Sequence, residues 1–154
     1  MRGLSDAQWT FKPAPDRWSA AEIVEHVAVI EAVVKGILAK IDEGPAPAAD
    51  RHANEIDQMI LTKVLDRGKK AKAPEMAVPT GRWAPAAALE HFRATSGELA
   101  EIVSSAVGLR QHVFAHPVLG TMDGYQWILV VAAHNERHNQ QILEVEADPG
   151  FPEK

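Results

Sequence analysis

His134 and His138 stand four residues apart in a segment that reads as one long helix, and that spacing can build a metal site. Residues at i and i+4 sit about 40° apart around a helix and one turn apart along it, so both imidazoles can reach a single ion. They share a stripe with Trp127, Val130, Val131, Gln141 and Val145, the face that a bundle helix turns inward. Neutral imidazole is a ligand for zinc, nickel and iron, but such a pair needs a third ligand from elsewhere. His26 is the natural third ligand, because it interrupts the apolar stripe of an earlier helix as the pair interrupts the last. Three converging histidines with an open fourth position would polarise water or a substrate atom.

Competing readings are narrowed by residue type. An i,i+4 histidine pair taken alone is more often a hydrogen-bonded core feature than a metal site. A zincin-type peptidase needs Glu directly after the first His, and Asn135 stands there instead. Glu136 is about 200° from His134 around the helix and points away. His112 and His116 repeat the spacing, but Pro117 follows and turn signals flank them, so their segment reads as loop. His52 and His91 have charged neighbours and read as solvated. The Lys69, Lys70 and Lys72 cluster reads as a solvated linker, the alternative being a hold on an anionic small molecule. The four tryptophans read as packing residues, and Ser19 as a helix cap rather than a nucleophile. Gln141 and Arg137 are acid or base candidates by proximity alone. Glu22 reads as a cap and Glu25 as a solvated helix position.

The elements that must carry these side chains are helical. Ser19-Ala20-Ala21-Glu22 has the spacing of a capping box, with Trp18 and Ile23 placed as a hydrophobic staple. Apolar residues at Ile23, Ile30, Val33, Val34 and Ile37 continue that helix to a stop at Asp42-Glu43-Gly44-Pro45. A shorter helix is predicted over about 51–66, and a third runs from Pro85 to Val107. Between them, 69–83 reads as an irregular crossover. Asp123 with Gln126 opens the last helix, which runs to about Ala147. The prolines of WTFKPAPDRW make 9–18 a loop. No alternation of useful length predicts a strand, so the fold class is all-α, a single helical domain over 1–154.

Composition excludes other classes. With 154 residues there is room for one core. A net charge of −5, from 21 acidic against 16 basic residues, argues against a nucleic-acid surface. The chain has no cysteine, which removes disulfides, thiolate metal sites and Cys nucleophiles together. No apolar run approaches a membrane span and no signal-like start is visible, so a cytoplasmic protein with no membrane partner is expected.

DRWSAAEIVEHVAVIE, PTGRW and HPVLGTMDGYQWILVVAAHNERHNQQI together resemble the DinB-like (DinB/YfiT) superfamily of metal-dependent helical-bundle proteins. The resemblance implies an up-down four-helix-bundle fold and a divalent metal, zinc, nickel or iron, held by His26, His134 and His138. It implies a metal-dependent enzyme, a transferase or isomerase using a low-molecular-weight thiol such as bacillithiol or mycothiol, with a metal-dependent hydrolase or a non-catalytic binding bundle as alternatives. The partner would be a small-molecule substrate or thiol. Relatives carry a long helix before the loop at GLSDAQWTFKPAPDRW, and the resemblance implies that most of that first bundle helix is lacking here. Three long helices and one short one are then expected, with an exposed apolar groove and a homodimer, or a truncated start, as the explanation.

Overall fold

The computed structural model describes residues 3–69 and 72–153; Lys70, Ala71 and the terminal residues lie outside it, so the lysine cluster falls partly beyond the described chain. Its body is four helices: α2 (Ala20–Leu38), α3 (Ala53–Leu65), α4 (Pro85–Ser105) and α5 (Gly124–Glu146), preceded by a short α1 (Asp6–Thr10). Three are long and one is short, as the periodicity requires. None is long and apolar enough to cross a membrane.

Capping chemistry sets where these helices begin. Ser19 Oγ accepts from the Glu22 amide at 3.2 Å, while the Glu22 carboxylate accepts from the Ser19 amide at 2.8 Å. Asp123 and Gln126 repeat this at the start of α5. Each such cap contributes about 1 kcal/mol. Ser5 and Gln8 form a third box that starts α1, so part of the segment read as loop is a helical turn.

A second departure is a hairpin of β1 (Val113–His116) and β2 (Gly120–Asp123), with Val113 opposite Asp123 and His116 opposite Gly120. It refines the all-α reading without changing the fold class. The strands are too short to show alternation, and they are held by contacts distant in sequence. The Val113 amide donates to Pro45 O at 3.0 Å, and His112 Nδ1–H donates to Gly44 O at 2.7 Å. Gly44 permits this approach, since a Cβ there would lie 2.6 Å from Val113 O. His112 and His116 thus serve the hairpin and share no helical face.

α4 packs on α2, α2 on α5, and α5 on α3. Between α2 and α5 the apolar side chains fall into two clusters. One contains Trp9, Ile23, Val27 and Ile142; the other contains Val34, Leu38, Trp127 and Val131. The interruption lies where His26, Glu31, His134, Asn135 and His138 occupy the helices. Polar groups there must be satisfied by one another or by something bound.

Candidate metal centre

α2 contributes His26, and α5 contributes His134 and His138 on successive turns of one face. The three rings meet. His26 Nε2 lies 3.2 Å from His134 Nε2, and His134 Nε2 lies 3.1 Å from His138 Nε2. One ligand nitrogen from each of the three falls within 4.8 Å of the others. All three sequence-selected residues are therefore brought together.

The far side of each ring decides where its proton sits. His26 Nδ1 faces Ala77 O at 2.8 Å, and a carbonyl can only accept, so the proton is on Nδ1 and the Nε2 lone pair points at the cluster. His138 Nδ1 donates to Gln141 Oε1 at 2.9 Å, with the same result. His134 Nδ1 is buried without a partner among the described residues. At most one proton, on His134 Nε2, is available to a group of three converging nitrogens. A cation satisfies three lone pairs at once, whereas one proton does not.

Protonating the rings would cost more than usual. Burial, reinforced by the neighbouring His138 and His26 and by Arg137, pushes His134 far below an ordinary imidazole, to about 2. Burial, followed by His26, holds His138 at about 4 despite its bond to Gln141. Burial also lowers His26, against the opposing pull of the Ala77 carbonyl. Neutral imidazole is the form that can ligate a metal, and burial keeps all three rings in that form at physiological pH.

Donor type and spacing fit a divalent ion. Zinc–imidazole bonds of about 2.0–2.1 Å place tetrahedral ligand atoms about 3.3 Å apart, close to the two Nε2–Nε2 separations of 3.2 and 3.1 Å. The acceptors behind His26 and His138 are the outer partners that such ligands ordinarily have.

Trp18 closes one side, its ring centroid 4.9 Å from that of His26 and 6.4 Å from that of His138. On another, a cleft of about 340 Å³ between α2, α4 and α5 is lined by Val27, Phe92, Ile142 and His138. Arg137 is occupied elsewhere: its guanidinium donates to Val64 O, Asp66 O and Lys69 O, holding the end of α3 against α5. Gln141 orients His138. His52 and His91 are exposed, as expected, and His91 stacks on Trp83 at 4.3 Å.

Glu25 is the main correction. It is 3% exposed rather than solvated, and its carboxylate accepts from Thr80 N, Gly81 N and Arg82 Nε. Helical phase could not reveal this, because its partners lie in the irregular segment before α4. The PTGRW run was the available signal: an arginine and a turn glycine that need a nearby acceptor.

The chain is similar to the uncharacterized protein YuaE of Bacillus subtilis (strain 168), with 25% identity over 149 residues, covering 94% of this chain and 87% of that protein. No solved structure matches. The family profile of the DinB superfamily matches residues 1–142, a span that includes His26, His134 and His138, and the chain belongs to that superfamily.

Proposed function

We propose that this protein is a metal-dependent enzyme whose divalent ion, held by His26, His134 and His138, activates a low-molecular-weight thiol as the nucleophile of a transfer reaction. The observation that carries the reading is the meeting of three Nε2 atoms whose protons are directed away at His26 and His138. A bound ion would supply Lewis acidity at a fourth position left open by the protein. The chain contains no cysteine, so any thiolate ligand there must come from outside. Trp18 shields the histidines, Gln141 and Ala77 fix two ring tautomers, and the cleft beside His138 offers an apolar wall for a small substrate.

Metal analysis of untagged protein, followed by thiol consumption with a panel of thiols and electrophiles, tests the reading. Stoichiometric zinc, nickel or iron and turnover lost in His138→Ala are expected. Equal thiol consumption by wild type and variant would refute the transferase assignment. Metal-dependent hydrolysis without thiol would instead make water the nucleophile. The cleft also favours a second reading, a non-catalytic small-ligand protein, which predicts ligand binding without turnover.

A further inference from the structure

From the contacts of Glu25 and Ala77 we infer that Glu25 is a positioning residue for the metal centre: it anchors the strap over 76–82, and the strap in turn holds the ring of His26. This rests on the metal reading above, but its central link is a property of the chain itself.

The strap has few regular hydrogen bonds of its own, apart from one short turn at Glu75–Ala77. Its fixed point is the Glu25 carboxylate. Oε1 accepts from Thr80 N at 2.8 Å, Thr80 Oγ1 at 3.3 Å and Arg82 Nε at 2.9 Å, and Oε2 accepts from Gly81 N at 3.0 Å. Gly81 has φ +70°, which brings successive amides toward one anion and which a side-chain-bearing residue rarely adopts. Arg82 then turns back, its Nη2 donating to Met76 O and Val78 O at 3.3 Å each. One buried anion thereby orders the chain on both sides of Ala77.

Ala77 is 1% exposed, and its carbonyl is the acceptor for His26 Nδ1–H. Glu25 and His26 are adjacent on α2, so consecutive side chains grip one segment. If the carboxylate lets go, Ala77 O is no longer held at 2.8 Å, the Nδ1 proton loses its partner, and the ring is free to take the tautomer that blocks Nε2. Outer partners of metal-bound histidines ordinarily change affinity about 10–100-fold when removed.

Glu25→Gln tests this, because it preserves size while turning one acceptor oxygen into a donor facing other donors. Arg82→Ala loosens the same strap from a partly exposed position and serves if the first variant does not fold. Two measurements on folded protein are required: Zn2+ affinity by chelator competition, and the His26 tautomer from ring nitrogen shifts in metal-free protein. We expect Zn2+ affinity to fall about 10–100-fold in Glu25→Gln, with a smaller loss in Arg82→Ala, and His26 to pass from Nδ1–H to a mixture of tautomers. A variant of lower thermal stability with unchanged affinity and unchanged tautomer would overturn the inference, since Glu25 would then serve only the fold. If the wild type takes up no Zn2+, the metal reading fails, and the tautomer alone decides the role of Glu25.

Discussion

Asn135 Nδ2 donates to Glu31 Oε1 at 2.6 Å, joining α5 to α2 immediately beside the histidine cluster. The other oxygen of Glu31 accepts from Ser96 Oγ of α4, also at 2.6 Å, and the residue is 1% exposed. This carboxylate links three helices, and it does so where α4 packs on α2 rather than on α5. Ser96→Ala removes one donor from a buried acceptor and should cost about 1–3 kcal/mol. The urea midpoint of the variant checks this. A midpoint equal to that of the wild type would show that the three-helix link is not held in solution.

Metal should stabilise the fold through the histidines. A ligand that binds only the folded state adds about 2.7 kcal/mol at one hundred times its Kd. Thermal unfolding of chelated protein, titrated with Zn2+, should therefore move upward by several degrees in the wild type. His134→Ala and His138→Ala should each lose most of that shift. A shift retained in both variants would place the metal elsewhere.

The parts of the fold legible in the sequence were those with local causes. Ser19 with Glu22, and Asp123 with Gln126, mark helix starts because both partners of the capping box lie within four residues. His134 and His138 are related by helical geometry alone, and His26 joined them through its place on an apolar stripe. What escaped depends on distant partners. The hairpin is held from Gly44 and Pro45, Glu25 faces residues 80–82, and Arg137 caps the end of another helix. The Ser5 and Gln8 box is local as well, but the neighbouring prolines make 9–18 read as loop and hide α1, which ends inside that segment at Thr10.

Acid should destabilise the metal-free protein at pH values where most carboxylates are still ionised. Burial first, then neighbouring charge, lowers His134 to about 2 and His138 to about 4, and burial lowers His26; in the unfolded chain each titrates near 6.5. Below about pH 6.5 the unfolded state therefore binds more protons than the folded one, so stability falls as pH drops. The contribution is complete above pH 6.5 and is lost progressively as pH falls, toward about 4 for His138 and about 2 for His134, by at most about 1.4 kcal/mol per pH unit for each histidine. Urea unfolding of chelated protein at pH 7.5, 6 and 5 measures the slope. His134→Ala should have a shallower slope than the wild type, and parallel slopes would contradict the assignment of this window to the cluster.

Asp123 combines two roles that substitutions can separate. Its Oδ1 accepts from the Gln126 amide at 2.9 Å and caps α5, while Oδ2 accepts from Arg51 Nη1 at 2.9 Å and Arg110 Nη1 at 3.1 Å. The carboxylate is fully buried and the Arg51 side chain is 11% exposed, so removing the anion strands a cation that has little access to water. Asp123→Ala loses cap and ion pair together and should cost about 3–5 kcal/mol. Asn is as good an N-cap as Asp, so Asp123→Asn should keep the cap, lose the charge, and fall short of the alanine variant by about 1 kcal/mol. Urea midpoints of the two variants give that difference directly. Equal losses would mean that the ion pairs, rather than the cap, fix where α5 begins, and that Arg51 sets the register of the helix that carries His134 and His138.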